Sequence, residues 1–322
     1  MITGRSDNAP LAGLILTDMD GGDAASMAAT LSVAGQTLLE YQARVARSCG
    51  VRHIVVLVEA MPAALVAALD RLRDDGIDIE IARTPADAAD RIHPDELAVV
   101  MANGAVATRA LVERLARHEA PVILTVADEA GHVRLERIDA HRRWSGLALL
   151  PGAVLRKTSA MIGDWTYGPT LLRVALQAGI RQEEAERIDL VLNAEDARAA
   201  SLRLLEGEGD SAAVALDALV VAPLVSRLLL AIMARPVPFE AIAALPVLML
   251  AASLALAGFG WLLAGVSVFL LSAFPAVTGR RMSHVAARPS RALDLFERLR
   301  LPAFSLHLAI AGWLSMAAEP GW

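Results

Sequence analysis

Asp18, Asp20 and Asp23 stand close together, interleaved with Gly21 and Gly22, directly after the apolar run Leu11–Thr17. Carboxylates at this spacing can hold a divalent cation, and glycines let backbone N–H groups approach a phosphate. Asn103 closes a second apolar run, Leu97–Ala102, where its amide can reach a base or a ribose. Asp18, Asp20, Gly21, Gly22, Asp23 and Asn103 are therefore the candidate ligand-binding set. A solvated turn has the same Gly- and Asp-rich composition, and Asn is also a common turn former and helix cap. No Arg or Lys occurs between Leu11 and Gln42. A triphosphate at this loop would meet like charge unless a cation stood between them.

The elements that must position these residues alternate in type. Apolar runs at Leu11–Thr17, His53–Glu59, Leu97–Ala102 and Pro121–Ala127 have the pattern of buried parallel strands. Ile77–Ala82 alternates like a half-exposed strand. Helical spacing fills Leu38–Cys49, Pro62–Asp75, Ala86–Ile92 and Thr108–His118. Strand–helix alternation predicts an α/β, doubly wound, Rossmann-like sheet that binds ligands at the carboxyl ends of its strands. RRWSGLALL and WTYGPT are expected to pack in the ordinary way, with the far wall of a cleft as their other role. His132 and His141 are too isolated to suggest a metal site. The single Cys49 excludes an internal disulfide and is expected to be a small buried hydrophobe.

The order of these pieces resembles the sugar- and alcohol-phosphate nucleotidyltransferases, whose fold is the GT-A type shared with one class of glycosyltransferases. LILTDMDGG stands where that family has its first strand and Gly-rich nucleotide loop. LSVAGQTLLEYQARVARSCGVRHIVVLVE stands where it has a helix and its second strand, and LAVVMANGAV where it has a strand ending in Gly-Asp. RIDLVLNAEDARAASLRLLEG stands where it has an Asp-x-Asp pair and a closing helix. The resemblance covers roughly residues 11–208 and implies Mg²⁺ with a nucleotide in an active member. Its metal-holding carboxylates fall on Ala105, Leu190 and Leu192, with Asp189 one residue out of register. Glu195 and Asp196 are expected to support the first turn of the closing helix.

The remaining third of the chain differs in solvent preference. Ala241–Phe259 and Trp261–Val277 carry no charge, and Leu301–Ala318 carries only His307 as a titratable group. About 20 helical residues cross a ~30 Å hydrocarbon core. The expected domains are 1–208, a cytosolic nucleotidyltransferase-like domain, and 209–322, an α-helical membrane domain. The latter comprises an interfacial amphipathic helix over 212–233 and three transmembrane helices at about 240–258, 261–278 and 301–318. Arginines crowd residues 279–300, which are expected to form a basic loop on the cytoplasmic side of an inner membrane. The N-terminal domain is then cytoplasmic and the C-terminus outside. The polar first residues do not resemble a secretory leader. Arg227, Arg280, Arg281, Arg288 and Arg291 are candidates to face lipid or a partner, although topology alone also places arginines beside spans.

This second part resembles the CDP-alcohol phosphotransferases on VSRLLLAIMARPVPFEAIAAL, AGFGWLLAGVSVFLLS and AFPAVTGRRM. Fusions of the two modules are known as inositol-phosphate cytidylyltransferase–phospholipid synthase proteins, and the joint order here is similar. That family's metal-holding aspartates fall on Pro275 and Thr278, with its glycine on Gly279 and a later aspartate near Asp294.

A net charge of −6 gives no nucleic-acid footprint. The residues at both sets of resembling positions imply a degenerate pseudoenzyme, a scaffold or accessory subunit with no resident cofactor. Its partners would be an integral membrane protein or a second copy, met through transmembrane helices, and phospholipid. Ala255, Gly258, Ala264 and Gly265 would let helices approach closely. The alternative is an active nucleotidyltransferase making an NDP-alcohol or NDP-sugar for phospholipid or glycan synthesis. A third reading is a module that senses a nucleotide sugar without turnover.

Overall fold

The computed structural model describes residues 11–17, 27–161, 166–185, 188–207, 239–285, 287 and 290–318. The chain divides into two compact units at Leu204/Leu205.

The first unit is built on a seven-stranded mixed sheet. Its central strand, β1 (Leu11–Thr17), is buried along its whole length, as an apolar run without alternation requires. It lies parallel to β4 (His53–Val58) on one side and to β6 (Leu97–Met101) on the other. Gly13 permits this approach: a Cβ there would stand 3.1 Å from Val51 Cγ1. β5 (Asp78–Ala82) continues the parallel set beyond β4. On the far side β9 (Arg142–Pro151) runs antiparallel between β6 and β8 (Val122–Ala127), and β10 (Arg181–Glu184) lies parallel to β8 at the edge. A two-residue hairpin, β2 (Ser32–Val33) and β3 (Gln36–Thr37), and a small pair formed by β7 (Ala105–Val106) and β11 (Asp189–Leu190) complete the strands.

The Rossmann-like α/β sheet expected from the strand–helix alternation is present, and the antiparallel strand β9 makes it mixed. RRWSGLALL packs as expected, as the interior strand β9, buried over most of its length. Gly146 breaks its apolar run at φ +84°, where a Cβ would stand 2.9 Å from that of Ala105. WTYGPT packs as expected where it is described: Tyr167 sits in the main core beside Leu155 and Leu171.

The helices of this unit are α1 (Leu38–Ser48), α2 (Ala63–Asp74), α3 (Pro85–Asp90), α4 (Arg109–Ala116), α5 (Gly152–Met161), α6 (Tyr167–Gln177) and α7 (Ala194–Gly207). Local chemistry starts several of them. Thr37 and Glu40 close a capping box on α1, Thr84 caps α3 ahead of Pro85, and Thr108 caps α4.

The second unit holds α8 (Phe239–Gly258), α9 (Leu262–Leu271), α10 (Ala273–Val285) and α11 (Arg291–Ala318). Ala241–Gly258 and Leu262–Arg280 are each long and apolar enough to cross a membrane. The second of these is interrupted at Ser272, where α9 gives way to α10. The basic segment 279–300 is not a loop, as its arginines implied. α10 runs on to Val285 and α11 starts at Arg291, because the charged residues sit on turns continuous with the apolar helices. Ile242 and Ala243 of α8 cluster with Met282 of α10 and Leu293 of α11, so the start of α8, the end of α10 and the start of α11 share one level. The expected interfacial helix at 212–233 lies outside the described residues.

Candidate functional site

The parallel strands β1, β4 and β6 deliver their carboxyl ends to one edge of the sheet, the place where open α/β sheets take ligands. β1 ends at Thr17, whose buried hydroxyl donates to Leu57 O at 2.8 Å and pins the end of β1 to β4. Asp18, Asp20, Gly21, Gly22 and Asp23 follow immediately and lie outside the described residues. β6 ends in the turn Ala102–Asn103–Gly104, which leads into β7. Asn103 is half-buried at this turn, as close to the end of β6 as the sequence implied.

Long-range bonds fix the shape of that turn. Gln42 of α1 donates to Ala102 O at 3.3 Å and to Ala105 O at 2.8 Å. Its neighbour Tyr41 donates to Ala107 O at 2.6 Å. Val191 N–H donates to Gly104 O at 2.8 Å, joining the turn to the β11 segment. Gly104 sits at φ +77°, and a Cβ there would stand 2.7 Å from Val191 O. Only glycine fits both constraints. That same Cβ position is 3.1 Å from Leu190 Cδ1 and 3.2 Å from Leu192 Cδ2. The two leucines therefore close over the turn from the opposite side, and Ala105 is buried at 1% exposure beside it.

The side chains that close this turn bring no carboxylate to a hard cation. Ala105, Leu190 and Leu192 offer none, and Asp189 is bound to Arg203 at 2.8 Å. Mg²⁺ requires near-octahedral oxygen ligation, so the described residues of the strand ends do not fit it. No group of three or more His, Cys, Asp or Glu side chains able to hold a metal occurs among the described residues.

Helix α7 braces the same region from behind. Ser201 Oγ accepts from Ala34 N at 2.9 Å, in the β2–β3 turn where Ala34 and Gly35 have positive φ. Asn193 Oδ1 accepts from the N–H groups of Glu195 and Asp196, each at 2.9 Å, and so caps the helix. Asp196 accepts from Leu192 N–H at 3.1 Å and pairs with Arg134 at 2.8 Å. The Arg134 hydrogen bond holds the Asp196 carboxyl below its usual range. The Asp196 carboxylate at the start of α7 is thus structural, and Glu195 is exposed.

Among solved structures, the chain is similar to a candidate glucose-1-phosphate thymidylyltransferase of Bacillus anthracis crystallised with sucrose. The identity is 13% over 59% of this chain and 94% of that one, with a TM-score of 0.45. No family model and no curated protein matches the chain.

Other sequence candidates fall elsewhere. Cys49 is not the buried hydrophobe expected. It is half-exposed, because α1 ends there and its thiol borders a hollow of about 430 Å³ lined by Ser48, Glu113, Arg117 and His118. Partial burial raises the thiol. His132 Nδ1 lies 2.9 Å from Ala127 O, a local turn contact. In the second unit Thr278 is buried and donates to Phe274 O at 2.8 Å, and Gly279 lies against Leu293. Asp294 is exposed at the start of α11. Gly265 is taken up inside the chain: a Cβ there would stand 2.7 Å from Ser253 O of α8. Gly258 and Ala255 remain exposed. Arg280 pairs with Glu297, and Arg291 is exposed. Arg227 and Arg288 lie outside the described residues, as does the side chain of Arg281.

Sequence reasoning missed Tyr41, Gln42, Ser201 and Arg203. For Tyr41 and Gln42 the fold supplies the reason: Leu38–Ala46 of α1 are all buried, polar residues included. A helix buried all round must give each polar side chain an internal partner.

Proposed function

We propose that this chain is a membrane-anchored, nucleotidyltransferase-like protein that does not catalyse nucleotidyl transfer. It serves as a scaffold or accessory subunit of a membrane complex. The observation that carries this reading is the apolar closure of Leu190 and Leu192 over Gly104 and Ala105, where metal-dependent transfer would need carboxylates. The apolar helices Ala241–Gly258 and Leu262–Arg280 support anchoring. The arginines of residues 279–300 favour an N-terminal unit on the cytoplasmic side of an inner membrane, with a third span over 301–318 and the C-terminus outside. Its partner would be an integral membrane protein or a second copy.

The test is pyrophosphate release by the full chain from CTP, GTP or UTP with Mg²⁺ and an alcohol or sugar phosphate. No turnover above the protein-free rate is expected, together with co-purification of a membrane protein in native lipid. Turnover abolished by Asp20→Ala would overturn the proposal. It would favour the second reading, an active enzyme whose Asp18, Asp20 and Asp23 hold the metal and whose Asn103 holds the nucleotide. The position of Asn103 at the end of β6 is what favours that alternative.

A further inference from the structure

The outward face of α11 changes character at one point. Its buried side chains, Leu293, Phe296, Ala303 and His307, form a stripe turned toward the other helices. Phe269 of α9 meets this stripe, with its ring centroid 5.5 Å from that of His307. Away from the stripe, Arg291, Asp294, Arg298 and Arg300 are exposed, with Leu295 and Leu299 among them. From Leu301 onward the exposed face is apolar: Leu301 at 68% exposure, Phe304, Leu306, Leu308 and then Trp313. Arg280 of α10 is brought to the charged level, since Met282 and Gly279 pack on Leu293. Its guanidinium pairs with one oxygen of Glu297, while Arg300 holds the other at 3.1 Å.

Among the described residues, four arginines, Arg280, Arg291, Arg298 and Arg300, gather at this level with two carboxylates, Asp294 and Glu297. The local charge is positive on a chain whose net charge is −6. Immediately beyond lies a bare apolar helix surface. The occupant must present an anionic head and a long apolar tail, in that order along α11.

We propose that this surface docks anionic phospholipid, its phosphate against Arg280 and Arg300 and its acyl chains along Leu301, Phe304 and Leu308. An acidic protein would match the arginines but not the apolar continuation. A zwitterionic lipid would match the apolar face but gain little from the cations. The inference rests on the reading that the second unit lies in a bilayer.

The full chain, in mild detergent with equimolar phosphatidylglycerol and phosphatidylcholine, is examined by native mass spectrometry. Retention of phosphatidylglycerol is expected to exceed that of phosphatidylcholine by about tenfold, and Arg280→Gln with Arg300→Gln to bring the two near parity. A control pair on the first unit, Arg73→Gln with Arg181→Gln, should leave the preference unchanged. Equal retention of both lipids, or a preference that survives Arg280→Gln/Arg300→Gln in a variant with an unaltered melting curve, overturns the proposal. So does equal competition by free glycerol phosphate, which lacks acyl chains. Carbonate extraction of membranes separates the two failures. Release of the chain into the soluble fraction overturns the bilayer reading itself, whereas retention without lipid preference overturns only the docking surface.

Discussion

The two units solve opposite solvent problems with the same kinds of side chain. In the first, the large apolar residues are inside, and Val66, Val133 and Met161 are the exposed large hydrophobics among its described residues. In the second, Leu248, Phe259, Trp261, Leu263, Leu270, Leu301, Leu308 and Trp313 are all exposed, and Ser253, Ser272, Thr278 and His307 are buried. Ser253, Ser272 and Thr278 each donate to a carbonyl of their own helix turn, so each polar group is satisfied locally. Charge follows the same division. Buried charge in the first unit is networked across elements: Glu40 takes hydrogen bonds from Arg71 and Arg44, and Arg44 reaches Asp75. Among the described residues, the charged side chains of the second unit, Arg280, Arg291, Asp294, Glu297, Arg298 and Arg300, lie toward the end of α10 and the start of α11. The difference teaches that hydropathy alone does not specify a core. The first unit hides apolar surface from water, whereas the second presents it, which suits a surrounding solvent that is itself apolar.

The largest test of this contrast is the Glu40 network. Burial alone would raise the Glu40 carboxyl, but hydrogen bonds from Arg71 and Thr37 and the charge of Arg44 outweigh it and leave the group at about 2. Because the folded value lies below the unfolded one, this stabilisation is complete above about pH 4.5 and is lost as the pH falls toward 2. Glu40→Gln should lower stability by about 3 kcal/mol at neutral pH and flatten the acid limb of the stability profile. Urea denaturation of the chain in detergent, followed from pH 7 to pH 3 by a probe in the first unit, measures both.

A cation on the outer face of the helices should cost nearly as much. Leu308→Arg is expected to disfavour insertion by about 3 kcal/mol if that face meets hydrocarbon. Its counterpart in the first unit, Val66→Arg, should change stability by less than about 0.5 kcal/mol. Comparable effects in membrane-insertion and melting assays would erase the distinction between the units.

Smaller effects sharpen the strand-end site. Gly104→Ala forces a Cβ onto Val191 O at positive φ and should destabilise the first unit by about 2 kcal/mol, read as a shift in urea midpoint. Gln42→Leu removes the two hydrogen bonds that its Nε2 donates to the turn and should cost about 1 kcal/mol. If the turn matters only for packing, it should also leave any nucleotide affinity unchanged in a calorimetric titration.

Much of this fold was legible without coordinates. Leu11–Thr17, His53–Val58, Leu97–Met101 and Val122–Ala127 are strands where continuous apolar runs predicted them, and α8 fills the uncharged stretch before Gly258. Arg142–Pro151 was not read as a strand, because Gly146 interrupts its pattern and its antiparallel partners are set by distant chain. The basic segment before Leu301 was read as a loop, because clustered arginines resemble a connection when their helical continuity is unseen.

The sequence by itself determined which segments avoid water, since burial tendency is a property of local composition and spacing. It also determined that Ala105, Leu190 and Leu192 bring no carboxylate. Only the tertiary structure decided that Leu190 and Leu192 lie against Gly104, that Gln42 grips a turn sixty residues away, and that Arg203 occupies Asp189. Such contacts depend on strand order and helix placement. These emerge when many weak long-range preferences are satisfied together, and no short window of residues contains them.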